Sequence, residues 1–194
     1  MTKRVFALLR VVAGGMISFA TQYIIHWREI KKNKYASAAL LVVCLEKYAA
    51  ECMAIVEDDG TSEGQPAGQT AHGERYLAPT RGLPEVISYP DDIDWKGLPS
   101  DITTRSLGLI AEAIGLNKQI SVAAEHAFPP DVEEFFHVRR LGYAKICLEV
   151  LRISRKLRKK YGIEPKINNM INPEFDDIKY LEEFIEREEK KKNP

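Results

Sequence analysis

The chain has 194 residues, 28 of them basic and 28 acidic, for a formal net charge of zero, and 45% are hydrophobic. That length carries one domain with a real core plus an appendage, and that apolar fraction excludes wholesale disorder. A balanced charge excludes a partner chosen by global electrostatics alone. The balance hides segregation. Residues 1–36 sum to about +6, residues 57–101 to about −7, residues 131–162 to about +5 and residues 174–189 to about −6. Such blocks pair within one fold or between subunits. Cys44, Cys52 and Cys147 give an odd count without C-x-x-C spacing. This argues against a disulfide framework or a zinc site and fits small buried hydrophobes in a reducing compartment.

From Val5 to Trp27 the only charged residue is Arg10. As a helix this stretch reaches roughly 35 Å, slightly more than the hydrocarbon core of a bilayer. Arg10 lies near one end, where it can snorkel, and Tyr23 and Trp27 lie near the other, where amphipathic aromatics favour the interface. The pattern predicts a single transmembrane helix. Two readings compete with it. One is a core or interfacial helix of a soluble protein. The other is a cleaved signal peptide, for which Ser18-x-Ala20 is a tolerable site, although Arg10 interrupts the apolar run and the run continues to Ile25. Arg28, Lys31, Lys32 and Lys34, offset by Glu29, outweigh Lys3 and Arg4. The expected placement is therefore a single pass through the inner membrane with the bulk of the chain in the cytoplasm. Gly14-x-x-x-Ser18 is a small-residue pair that lets helices approach closely in a bilayer, which predicts a homo-oligomer.

Tyr35 to Glu57 is rich in Ala and Leu and lacks Gly and Pro, so a helix is expected, continuous with the first. Residues 58–100 form a long acidic loop that opens with the flexible DDGTSEGQPAGQTAHG and holds Trp95 as a plug against the helices. Asp101 can cap a helix to about Phe128, which Pro129-Pro130 stops. Asp131 then caps a helix to Tyr161, with Glu133 and Glu134 in its first turn and Gly162 just past its end. That helix carries two apolar stripes: Leu141, Ala144, Leu148 and Leu151 make one, and Tyr143, Ile146, Val150, Ile153 and Leu157 the other. Two stripes imply two neighbours, as in a bundle. A last helix is expected from Pro173 or Asp176 to about Glu189, with Ile178, Leu181, Phe184 and Ile185 as its apolar edge. No strand run and no internal repeat stands out. The predicted class is mainly α, with a transmembrane helix followed by a small bundle and a long loop between its first two helices. The expected divisions are 1–34 (anchor and basic segment), 35–170 (bundle) and 171–194 (charged helix and tail).

Chemistry-bearing motifs are few. Glu134-x-x-His137 places a carboxylate and an imidazole on one helix face, the way di-metal bundles present ligands. Only one copy exists, and an acid of the first turn beside a half-buried His is the competing reading. There is no Gly-rich phosphate loop, no G-x-S-x-G and no H-E-x-x-H, so an enzyme is disfavoured and no cofactor is expected. Arg152, Arg155, Lys156, Arg158, Lys159 and Lys160 crowd the end of the third helix. Cations there are stabilised by the helix dipole, and the acidic tail can neutralise them. Together with Arg28, Lys31, Lys32 and Lys34 they are also candidates to face anionic headgroups. Nucleic acid is disfavoured because no aromatics for base stacking are interleaved.

Three segments carry a family likeness: ALLVVCLEKYAAEC after the short apolar anchor, DDIDWKGLP, and YAKICLEVLRISRKLRKKYGI. The chain resembles, from about Ile24 to Ile163, a group of bacterial proteins with an N-terminal membrane anchor and a helical domain. The shared motifs are packing motifs, and the resemblance implies no activity and no site residue. The expectation is a membrane-tethered helical interaction or scaffold module, self-associating and open to a protein partner. The alternatives are a metal-dependent helical enzyme using Glu134 and His137, or a soluble protein associated with anions or nucleic acid.

Overall fold

With neither Gly nor Pro between Met16 and Glu57, nothing interrupts the first helix at the basic stretch. The structure, a computed structural model, describes residues 2–164 and 176–192, with side chains for residues 21–164 and 176–191. Helix α1 runs unbroken over Thr2–Val56, roughly 80 Å at 1.5 Å per residue. It is followed by a two-stranded antiparallel hairpin, β1 (Gly68–Gln69) with β2 (Arg75–Tyr76), and by a single 3₁₀ turn at Trp95–Gly97. Helices α2 (Ser100–Glu125), α3 (Glu133–Tyr161) and α4 (Asp177–Lys192) complete the described chain. The protein is mainly α, as its periodicity predicts, and the short hairpin is the part that no run of β-branched residues announces.

Helix α3 is the hub, and α1, α2 and α4 each pack against it. Cross-links give the direction of each pairing. Along α1, Glu46 meets Ser154 and Arg158, the Ala49 carbonyl meets Cys147, and the Val56 carbonyl meets Arg140. Along α2, Asp101 pairs with Lys156, Arg105 with Glu149, and Asn117 with Tyr143. Along α4, Asp176 pairs with Arg155, Glu182 with Arg152, and Glu188 with His137. All three helices therefore run antiparallel to α3. The buried positions follow helical spacing: Ala38, Leu41, Leu45, Ala49, Cys52 and Ile55 on α1, and Ile102, Leu109, Ala113, Leu116 and Ile120 on α2. On α3 both expected stripes face inward, with Leu141 and Leu151 half-buried at their edges. Leu181 and Phe184 bring α4 into the same core. Cys52 and Cys147 are free thiols buried in it, and burial pushes the Cys52 thiol up.

Because α1 and α2 run the same way, the connection between them must return along the whole bundle. Residues 57–99 do this, and half of that stretch is packed rather than flexible. Ile87, Ile93 and Leu98 are buried. The Tyr89 hydroxyl donates to the Ser106 carbonyl (2.6 Å), and the Asp94 N–H donates to Ser37 Oγ (3.0 Å). Trp95 is half-buried against the core and meets Tyr89 edge to face, 5.2 Å between ring centroids.

The return begins at Asp58. Its carboxylate accepts from Arg139 Nη1 (2.7 Å), from the Thr80 hydroxyl (2.9 Å), and from the N–H groups of Gly60, Thr80 and Arg81. Arg139 also donates to the Arg81 carbonyl. The two side chains are 0% and 1% exposed. Burial alone would raise the Asp58 carboxyl, but the hydrogen bonds from Arg139, Thr80 and Arg81 outweigh it and hold the pKa at about 2. Gly60 makes the turn possible: its φ is +80°, and a Cβ there would lie 2.4 Å from Phe136 Cζ.

Two expected caps are not used. Helix α2 begins at Ser100 with Pro99 at the cap position, two residues early, and Asp101 instead pairs with Lys156. Helix α3 begins at Glu133 with Val132 at the cap position, so Asp131 caps nothing. Asp176 does cap α4, accepting from the Ile178 N–H (3.1 Å), and Gly162 ends α3 in the left-handed conformation.

The expected span lies largely outside the residues with described side chains, as do Gly14 and Ser18. Among the described residues no helix is long and apolar enough to cross a membrane. Residues 21–36 are exposed all along the helix, so this part of α1 is not a core helix of the bundle.

Two outcomes test this fold. Removing one member of a buried pair strands the other charge, at about 3–5 kcal/mol. Asp58→Ala is expected at the top of that range in urea unfolding, because Arg139 and three N–H groups lose their acceptor. Arg139→Ala is expected at the bottom, since Asp58 keeps its other donors. The depressed pKa makes this stability present above pH ~4 and lost as pH falls towards 2, so the wild type forfeits about 2 kcal/mol across that window that Asp58→Ala does not. The second outcome concerns α3 against α2. A Cβ at Gly142 would lie 2.2 Å from Leu116 Cδ1, whereas one at Gly108 meets nothing within 4 Å. Gly108→Ala should therefore stabilise by roughly 0.5–1 kcal/mol, while Gly142→Ala should destabilise by about 1–3 kcal/mol.

Candidate functional site

The N-terminal end of α3 holds the Glu134-x-x-His137 motif. Glu134 is exposed, and His137, three residues on, is half-buried and turned towards α4. Its Nδ1 lies 3.4 Å from Glu188 Oε2. Lys191 donates to the other oxygen of Glu188 (2.7 Å). Burial pushes the Glu188 carboxyl up, and the bonds from Lys191 and His137 more than compensate, leaving it lowered. Both motif residues border an open cleft of about 700 Å³ that Tyr76, Phe136 and Arg140 also line. Arg140 is spoken for: it donates to the Val56 carbonyl (2.8 Å) and stacks over Phe184. Among the described residues no group of three or more His, Cys, Asp or Glu side chains is placed to hold a metal ion. The partner of His137 was invisible to spacing rules because it sits 51 residues away on another helix.

At the other end of α3, four of the six clustered cations are engaged within the chain. Arg158 makes a two-pronged bond to Glu46 (2.7 and 2.9 Å), which raises its pKa further. Arg152 meets Glu182 and Arg155 meets Asp176, at 2.7 and 2.8 Å, and Lys156 meets Asp101. Lys159 and Lys160 are exposed and carry no ion pair among the described residues. The pairing of α3 with the acidic α4 could be anticipated from the charge blocks. The pairing of Arg158 with Glu46 could not, because it needs the register of α1 on α3.

The third feature is the exposed part of α1. Tyr23 is 63% and Trp27 59% exposed, and Ile24, Ile25 and Ile30 are exposed with them. At 3.6 residues per turn these five spread over about 220° of the helix circumference. Arg28, Lys31, Lys32 and Lys34 follow, all exposed and without an ion pair among the described residues. The antiparallel register puts the last turn of α3, with Lys159 and Lys160, at the end of the bundle from which this part of α1 emerges. At the opposite end, Val122 and Phe128 are exposed beside an apolar cleft lined by Phe135 and Val138.

The partnership of His137 with Glu188 gives a direct test of the metal alternative. After incubation with zinc and desalting, wild type and His137→Ala should retain the same metal per chain. His137→Ala should lower stability in urea by about 1 kcal/mol, through the lost bond to α4. Stoichiometric zinc that disappears in the variant would restore the metal reading. Set against protein-family models, curated proteins and solved structures, the chain matches none, so no residue role is carried over from a relative.

Proposed function

We propose that the chain is a membrane-tethered helical interaction module: a single pass through the inner membrane near its N-terminus, with the bundle in the cytoplasm. One observation carries this reading. The same continuous helix that packs into the core from Ser37 onward projects out of the bundle before it, with large apolar side chains on several faces. An isolated helix with such a surface needs a covering, and a bilayer covers every face at once. Together with residues 21–27, the preceding residues 5–20, with Arg10 their only charge, supply the length a span requires. Self-association is supported by Gly14-x-x-x-Ser18 in that segment. The exposed apolar surface around Val122 and Phe128, away from the tether, supports the protein-interaction part of the reading.

Membrane fractionation with an alkaline carbonate wash tests the tether. The full chain should stay in the washed pellet. A version beginning at Arg28, which keeps every buried core position from Ser37 onward, should be soluble and helical. Full chain in the supernatant would overturn the reading.

A further inference from the structure

We propose that the exposed part of α1 reads an anionic lipid surface through Arg28, Lys31, Lys32 and Lys34, and that the basic end of α3 takes no part. This deepens the tether reading and rests on it. The four cations fall within about 160° of the helix circumference, and Glu29 lies outside that arc. They stand one to seven residues beyond Trp27, so they rise to roughly 10 Å above it. A headgroup layer is about 5–8 Å deep, so with Trp27 at the interface the four reach through that layer to its outer edge. None of the four makes an ion pair among the described residues, although Asp94 lies beside the stem of Lys34, and cations of this kind are attracted by negatively charged leaflets.

Each member of the α3 cluster fails one of the two requirements, being either paired or too far from the headgroups. Arg152, Arg155, Lys156 and Arg158 are committed to Glu182, Asp176, Asp101 and Glu46. Lys159 and Lys160 are unpaired among the described residues, but the register set by Ala49 with Cys147 and Val56 with Arg140 places them about level with Ser37 and Ala36. That is roughly 14–15 Å from Trp27 along the axis, about 6–10 Å beyond a headgroup layer of the depth given above and close to one Debye length at physiological salt. A second copy of the chain is a poorer occupant than lipid. It would cover one face of α1 and leave the others exposed.

Trp27 is one of only two tryptophans, so it can report its own lipid neighbours. Full-length protein with Trp95→Phe would be reconstituted into vesicles containing brominated phosphatidylglycerol or brominated phosphatidylcholine, and quenching of Trp27 measured. The expected result is at least about threefold enrichment of the anionic lipid, diminished by salt. It should fall to no enrichment in R28Q/K31Q/K32Q/K34Q and be unchanged in K159Q/K160Q. Equal quenching by both lipids would leave the tether standing and overturn the charge recognition. Enrichment lost in K159Q/K160Q but kept in the quadruple variant would overturn the assignment of residues. No quenching by either lipid would mean that Trp27 is not at a bilayer, and the tether reading would fall with the inference.

Discussion

A charge pair sealed from water decides where α1 stops and where the long connection turns back. Asp58 sits two residues past the end of α1 and Arg139 lies in the second turn of α3, and neither is solvated. Desolvating two charges is costly, so such a pair is weak evidence of stability but strong evidence of a specified geometry. Asp58 can hold its charge only where the N–H groups of Gly60, Thr80 and Arg81 and the Arg139 guanidinium converge on it. Satisfying it therefore orients the loop, the end of α1 and the start of α3 at once. From that point the connection can run back along the bundle, tucking Ile87, Ile93 and Leu98 into the core.

The same register governs the fate of the surface charges. The alternating basic and acidic blocks look like docking faces as long as the chain is read linearly. With α1, α2 and α4 all antiparallel to α3, much of the basic block on α3 finds its acids inside the molecule. Exposed pairs of this sort add little to stability, generally less than about 1 kcal/mol each. The Glu46–Arg158 bond, half-buried and two-pronged, is the exception in geometry. Arg28, Lys31, Lys32 and Lys34, by contrast, stand together without an ion pair among the described residues on the part of α1 that leaves the bundle.

That projecting part gives the molecule its polarity. One end carries apolar and basic side chains on an exposed stretch of helix, and the other carries the short connection between α2 and α3 with Phe128 exposed. Because α1 is one helix across both regions, Tyr23 to Trp27 are joined to the bundle without a break in helical structure.

Helix existence and most boundaries were legible by eye. The Ala- and Leu-rich run of α1, the double stripe of α3, the Gly162 terminus and the apolar edge of α4 are local signals, and local signals survive without knowing the neighbours. The caps at Asp101 and Asp131 misled because a capping residue is chosen by where the chain enters a helix, and here packing shifted that entry. The Glu134–His137 spacing was equally local, but whether it could be a site depended on Glu188 from a distant helix. The composition, the helical class, the uncharged segment of the first helix and the charge blocks were thus determined by the sequence itself, since each depends on residues within a few turns of one another. The antiparallel register, the burial of Asp58 with Arg139 and the split of the cations into paired and unpaired sets were decided only by the tertiary structure. Each of these joins residues tens of positions apart, and a periodicity of 3.6 carries no information about which distant face will be the neighbour.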